Sequence, residues 1–172
     1  KKTISATAEY EYRIPYGGSP SFSNDSKWVA YLISQPKKKS DKMKKSGKKV
    51  FKTAELRNLA TGDSVQFKRA NSMRFSEDGK FLAISLQKTQ NDKSKHKGSD
   101  LLLVDLSTMA TMNFGNVDEY GFNKNATMLA YTVDAAEKVG NGIYVYDLKN
   151  KVLKNLDSDR KKYSSLTWDD AR

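Results

Sequence analysis

The stretch "MRFSEDGKFLAISL", residues 73–86, decides the fold that this sequence predicts. It begins with an aromatic residue at Phe75, passes through an Asp78-Gly79 dipeptide that favours a tight turn, and ends in an apolar run from Phe81 to Leu86. This order of residues is typical of two antiparallel strands joined by a short turn. Whether the hairpin stands alone or recurs determines the architecture.

The same hairpin recurs twice without a gap. Residues 20–34 are "PSFSNDSKWVAYLIS", and residues 119–133 are "EYGFNKNATMLAYTV". An aromatic residue occupies one shared position, and an alanine follows it eight residues later in every copy. These positions are Phe22, Phe75 and Phe122, followed by Ala30, Ala83 and Ala130. The three segments are therefore repeats of one unit and are expected to fold alike.

A second pair of strands follows each hairpin and shares a leucine, at Leu59, Leu106 and Leu148. Trp168 takes the aromatic position of a fourth, incomplete copy, so the aromatic residues are 53, 47 and 46 residues apart. Four short strands in a period of about 40 to 50 residues are typical of a β-propeller blade. We therefore predict an all-β fold, a β-propeller fragment of about three four-stranded antiparallel blades with partial flanking strands.

The repeats predict a single partial β-propeller over residues 1–172. Residues 1–16 are expected to contain the last strand of a preceding blade, and residues 164–172 the first strand of a next one. The three blades are expected at residues 17–70, 71–117 and 118–163. Helical composition occurs only in "DAAEK", residues 134–138, which is long enough for one turn.

Most of the net charge of +11 comes from residues 37–49, "KKKSDKMKKSGKK", with eight lysines and one aspartate. Strand direction places this segment, expected to be a loop, on the same rim as residues 87–100 and 134–142. It is the candidate contact for an anionic partner, through Lys37, Lys38, Lys39, Lys42, Lys44, Lys45, Lys48 and Lys49. The segment lacks arginine and aromatic residues, so nucleic acid is not the favoured partner, and a solvated, mobile insertion stays open.

No catalytic residue, metal site or cofactor is predicted. The nearest match to the nucleophile motif G-x-S-x-G is residues 62–66, which lack the second glycine. A Ser/His/Asp triad would have to use His96, which lies between two lysines in a loop. The chain has no cysteine and one histidine, and its carboxylates lack the spacing of metal ligands.

The strings "FSNDSKWVAYLIS", "AELRNLATGD", "FSEDGKFLAISL" and "NFGNV" resemble the WD40-like or TolB-like repeats in the N-terminal propeller of bacterial prolyl-oligopeptidase-like (S9 family) serine peptidases. The resemblance covers nearly the whole chain. It implies a non-catalytic segment that gates or docks peptide substrate for an α/β-hydrolase domain, with that domain and the remaining blades on the same polypeptide. The family's catalytic segment is not in this sequence, so no catalytic residue is transferred.

Two other functions stay open from the sequence. One is a TolB-like or WD40-like protein-binding scaffold without enzymatic activity, and the other is an anion-binding protein that acts through residues 37–49. No membrane span is expected, because the longest apolar runs are far shorter than the roughly 20 residues that cross a bilayer. The compartment is open, with a periplasmic or secreted location favoured over a cytoplasmic one.

Overall fold

The computed structural model of the chain describes residues 3–4 and 12–169, and their fold is almost entirely β. Strand β1 (Thr3–Ile4) pairs with β2 (Tyr12–Arg13) in a small antiparallel sheet. The other described strands form one ten-stranded sheet in chain order. They are β3 (Gly17–Phe22), β4 (Trp28–Ile33), β5 (Lys52–Asn58), β6 (Ser64–Phe75), β7 (Phe81–Leu86), β8 (Ser99–Asp105), β9 (Thr111–Phe122), β10 (Met128–Val133), β11 (Gly142–Asp147) and β12 (Val152–Ser158).

The ten strands form three four-stranded blades, and two of the strands, β6 and β9, are each shared by two blades. The first part of β6 pairs with β5 and its last part with β7. Strand β9 joins β8 to β10 in the same way. The blades are therefore β3–β6, β6–β9 and β9–β12, all antiparallel, and the predicted fold class is confirmed. The predicted boundaries at residues 16, 70, 117 and 163 stay predictions, and those at 70 and 117 fall within the shared strands β6 and β9.

The backbone passes from one blade to the next at a residue in the left-handed conformation. Arg69 in β6 has φ +64° and Asn116 in β9 has φ +57°, and the pairing register shifts beside both. The carbonyl of Arg69 accepts a hydrogen bond from Gln87 N–H at 2.6 Å, and that of Asn116 accepts one from Asp134 N–H at 2.9 Å. A β-bulge of this kind bends a strand and increases its twist, so one strand can serve two blades.

Each predicted hairpin closes with the same side-chain-capped turn. Ser76 Oγ accepts a hydrogen bond from Phe81 N–H at 3.0 Å and donates one to Asp78 Oδ1 at 2.7 Å. Ser23 makes the equivalent bonds in the first blade, and Asn123 Oδ1 accepts the equivalent backbone bond in the third. These bonds satisfy backbone donors that would otherwise be unpaired at the end of a strand.

Two apolar clusters fill the spaces between neighbouring blades. Successive side chains of a strand point to opposite faces, so each blade contributes to the cluster on either side of it. The repeated alanines Ala30 and Ala83 are completely buried, one in each cluster, where a small side chain lets the sheets approach. Between the first and second blades lie Leu56, Leu82, Ile84 and Val104, and between the second and third lie Leu101, Leu103, Leu129 and Tyr131.

The lysine-rich segment contains an α-helix, α1 (Lys37–Lys45), so the predicted loop is wrong over these residues. Lysine has a favourable intrinsic helix propensity, and Pro36 directly precedes the first helical residue. The helix ends at Lys45, and Gly47, two residues later, has φ +69° and donates its N–H to the Lys44 carbonyl at 3.0 Å. Lys48 N–H donates to the Met43 carbonyl at 2.9 Å, which completes a Schellman motif.

The "DAAEK" segment forms a single 3₁₀ turn, Ala136–Lys138, as its length predicts.

Strand β12 is an edge strand of the described sheet. It pairs with β11 alone, and all seven of its residues are exposed. Residues 159–169 contain no strand and lie against the third blade. There Trp168 Nε1 donates to the Gly121 carbonyl at 3.0 Å, and Leu166 N–H donates to Glu119 Oε2 at 2.7 Å.

Gly79 allows a direct test of strain in the repeated turn. Gly79 has φ +69°, and Ser26 holds the same left-handed conformation, φ +57°, in the first hairpin. We expect Gly79→Ala to lower the free energy of unfolding by about 1–2 kcal/mol, because an L-residue is strained there. Its Cβ would also lie 3.0 Å from Asp25 Oδ1 of the neighbouring blade. Ser26→Gly should raise the free energy of unfolding by about 1 kcal/mol by removing the same strain.

Urea denaturation measures both changes. Gly18→Ala is the control, since a Cβ at Gly18 meets nothing within 4 Å, and it should change stability by less than about 0.5 kcal/mol. Equal losses in the Gly79 and Gly18 variants would contradict the strain interpretation.

Candidate functional site

Three connections lie together at one end of the blades. Each joins the second strand of a blade to the third, so strand direction places them at the same end: residues 37–49, 87–98 and 134–141. They hold thirteen lysines against four carboxylates, a net charge of +9, and neither arginine nor an aromatic residue. We call these three segments the basic rim. The predicted anion-contacting lysines, 37–49, all belong to it.

The end of α1 is attached to the second segment of the basic rim. Lys49 N–H donates to Gln90 Oε1 at 2.6 Å, and Gln90 Nε2 donates to the Gly47 carbonyl at 3.2 Å. Lys49 Nζ donates to the Thr89 carbonyl at 2.8 Å. Lys49 thus holds the two segments together by hydrogen bonds. The seven other lysines of residues 37–49 form no ion pair with any described residue.

The second and third segments are joined through Asp134. Its Oδ2 accepts a hydrogen bond from Lys97 N–H at 2.6 Å, and its carbonyl accepts one from Gly98 N–H at 3.2 Å. A Cβ on Gly98 would lie 2.2 Å from that carbonyl oxygen, so the approach requires glycine. Burial acts to raise the pKa of Asp134, but the hydrogen bonds from Lys97 and Asn141, with the charge of Lys162, outweigh it and lower the pKa. The ionised carboxylate fixes the backbone of Lys97.

An open cleft of about 680 Å³ lies between these two segments. Two carboxylates, Asp134 and Glu137, line it together with His96 and five lysines. One of these lysines, Lys162, pairs with Asp118 at 3.5 Å. The lysines are Lys93, Lys95, Lys97, Lys138 and Lys162. The arrangement can bind an anion by charge.

His96 lies against Lys88, which the sequence did not predict. Lys88 Nζ donates to the His96 carbonyl and lies 3.4 Å from His96 Nδ1. The same ammonium donates to Ser94 Oγ at 2.8 Å, and Ser94 Oγ donates to Asp92 Oδ1 at 2.5 Å. Because the Ser94 proton is bonded to Asp92 and Lys88 acts as a donor, this group holds the loop in shape and does not form a nucleophile–base pair.

The other residues that the sequence brought forward serve the sheet. Ser64, within the incomplete nucleophile motif, begins β6 and pairs with Arg57 of β5.

In the described part of the chain, no three His, Asp or Glu side chains are grouped so that they could hold a metal ion. No described helix has the length and apolar character needed to span a membrane.

A polar cluster lies on the outer face of the first blade, the face turned away from the second blade. Glu55 is buried there and accepts hydrogen bonds from Tyr31 OH, from Arg57 Nη2 at 3.0 Å and from Gln66 Nε2 at 2.8 Å. The Tyr12 ring lies 4.5 Å from the Arg57 guanidinium carbon, a cation–π contact. Arg57 Nε is buried and has no hydrogen-bond partner among the described residues.

Burial and hydrogen bonding in this cluster change the pKa values of Glu55 and Tyr31. Burial acts to raise the pKa of Glu55, but the hydrogen bonds from Tyr31, Gln66 and Arg57 outweigh it, and the pKa is lowered. Burial first, and then the hydrogen bond to Glu55, raises the pKa of Tyr31 to about 12. At neutral pH the carboxylate is therefore charged and the phenol is neutral, which is the state that this hydrogen bond requires.

A comparison of the three repeats identifies this cluster, because one aligned position is charged in the first repeat and apolar or aromatic in the other two. Aligned on the shared leucine, Glu55 occupies the position of Leu102 and Tyr144 in the other two blades. Leu102 and Tyr144 pack toward the preceding blade in the two apolar clusters. A carboxylate at a position that is apolar in the sibling repeats indicates that the outer face of the first blade has a different environment.

Comparison with known proteins shows the fold. No protein-family model matches the sequence, and no curated protein matches it. The β-propeller domain of the Trilobed protease from Pyrococcus furiosus is similar, with a TM-score of 0.58 and 19% identity over 89% of this chain and 45% of that one. An acylaminoacyl peptidase from Pyrococcus horikoshii has a TM-score of 0.51 and 17% identity over 86% and 26%. A eukaryotic initiation factor has a TM-score of 0.50 and 12% identity over 92% and 37%.

The chain is thus a partial β-propeller similar to the propeller domains of peptidases, as its repeats predicted. It spans less than half the length of each of these structures.

The pH dependence of stability tests the Glu55 cluster. The folded state raises the pKa of Tyr31 from 10.0 to about 12, because it favours the neutral phenol. This contribution to the free energy of unfolding is present below pH 10 and is lost as the pH rises toward 12. Tyr31→Phe should remove this part of the alkaline decline, roughly 1–3 kcal/mol in the free energy of unfolding. At pH 7 the same variant should be less stable by about 1–2 kcal/mol, because Glu55 loses a hydrogen-bond donor.

Urea unfolding of both proteins between pH 7 and pH 12 measures the difference. Burial raises the pKa of Tyr131 to about 12 as well, so Tyr131→Phe provides the comparison, and the double variant should decline least. An alkaline decline that is identical in wild type and Tyr31→Phe would contradict the assignment.

Proposed function

We propose that this chain is a non-catalytic β-propeller segment of a prolyl-oligopeptidase-like serine peptidase, and that it gates or docks peptide substrate for an α/β-hydrolase domain. The three-blade sheet carries the proposal, together with its likeness to the propeller of the Trilobed protease and to the acylaminoacyl peptidase. Propellers close with about four to eight blades, so three blades need neighbours to complete the ring.

The described residues support a role in access or docking and not in bond cleavage. Ser94 and His96, which lie together in the cleft, are held by Lys88 and by Asp92 in structural hydrogen bonds. The chemistry of such a peptidase would therefore reside in the hydrolase domain. The propeller contributes a rigid stack of blades with the basic rim at one end.

The full-length polypeptide that contains this chain provides the test. We expect it to react with a fluorophosphonate probe, which labels activated serines, and to hydrolyse short peptides faster than long ones. The Gly79→Ala variant, which loosens the contact between two blades, should narrow that difference by raising the relative rate on long peptides. Gly18→Ala is the matched control and should leave the selectivity unchanged.

A protein-binding scaffold without enzymatic activity is the second candidate. The polar face around Glu55 and Arg57 and the likeness to a eukaryotic initiation factor, which is not named as a peptidase, favour it. A full-length protein that neither reacts with the probe nor cleaves peptides would contradict the peptidase proposal and support the scaffold.

A further inference from the structure

The positive charge of the chain is concentrated at one end of the blades. The basic rim has a net charge of +9, whereas the turns at the opposite end carry five lysines and six carboxylates. These turns are residues 23–27, 58–63, 76–80, 105–110, 123–127 and 147–151. Such an asymmetry produces a positive field over one end only, which attracts anionic ligands to that end and speeds their association.

The cleft in the basic rim is formed before any ligand binds. One wall, residues 93–97, is fixed by the bond from Lys97 N–H to Asp134. The other wall begins at Ala135, whose N–H donates to Asn141 Oδ1 at 2.8 Å. Because hydrogen bonds within the protein hold both walls, a ligand loses little affinity to ordering of the backbone.

The ammonium groups of the cleft are available to a ligand. Lys93, Lys95 and Lys138 are exposed and form no ion pair with the described carboxylates. Lys97 lines the cleft as well and forms no ion pair with a described carboxylate. The cleft therefore offers at least four cationic contacts around one cavity.

The composition and size of the cleft favour an acidic polypeptide over nucleic acid. The basic rim has no arginine for bidentate phosphate contacts and no aromatic residue on which a base could stack. A volume of about 680 Å³ accommodates a few residues of an extended peptide but not a double helix. The wall carboxylate of Glu137 can accept a hydrogen bond from a peptide N–H, a donor that a phosphate backbone lacks.

We propose that this cleft docks an acidic segment of a polypeptide, with Asp or Glu carboxylates on Lys93, Lys95, Lys97 and Lys138. The peptide backbone lies between residues 93–97 and 134–138. The inference does not rest on the proposed peptidase function, because docking requires no hydrolase domain.

Fluorescence anisotropy with the full chain tests the proposal. The probe is a labelled peptide of alternating Glu and Gly, compared with the same peptide carrying Gln for Glu. We expect binding of the Glu peptide only, with affinity that falls as salt rises from about 50 to about 200 mM. The variant Lys93→Gln, Lys95→Gln, Lys138→Gln should bind roughly tenfold more weakly.

A second triple variant separates the cleft from the net charge. Lys124→Gln, Lys149→Gln, Lys151→Gln removes three charges at the opposite end and should change the affinity by less than about twofold. Equal losses in the two variants, or a wild type that binds the Glu and Gln peptides alike, would overturn the proposal. Tighter binding of an oligonucleotide of equal charge would also overturn it, in favour of a nucleic-acid surface.

Discussion

Face-to-face packing of the blades is the interaction on which the rest of this structure depends. Along β7, Leu82 and Ile84 face the first blade while Ala83 faces the third, so the strand is apolar on both sides. An isolated hairpin cannot remove two apolar faces from water, and burial stabilises by about 25 cal/mol per Å² of apolar surface. Stacked blades bury both faces, and the repeated alanine keeps the sheets close.

Stacking requires that the chain leave one blade and enter the next while its backbone N–H and C=O groups stay hydrogen-bonded. Tyr16, Arg69 and Asn116 do this in the left-handed conformation, at equivalent positions of the three repeats. The Arg69 side chain also supports the bend, since its guanidinium donates to the Gln87 carbonyl at 2.7 Å and pairs with Asp100 at 3.4 Å. Repetition of this bend sets the three connections of the basic rim at one end.

Two surfaces of the molecule differ from what packing alone would produce. The outer face of the first blade carries Glu55 where the sibling blades carry apolar residues, and buried Arg57 Nε lacks a partner among the described residues. A buried donor of this kind favours a neighbour that presents an acceptor. The basic rim differs in charge, and Asp134 joins the two segments that form its cleft. Attachment of other polypeptide segments, which we propose for these surfaces, is the common element of the two candidate functions.

The sequence by itself determined the three repeats, the all-β class, the hairpin turns and the shared alanine positions, because these follow from spacing within about 50 residues. The ends of α1 were also present locally, in Pro36 and Gly47, but the six lysines between them suggested a solvated loop. Only the tertiary structure showed the shared strands, the contact between Lys88 and His96, and the cleft. These depend on irregular backbone and on pairs such as Lys97 with Asp134 or Lys49 with Gln90, which are 37 and 41 residues apart and belong to no repeating pattern.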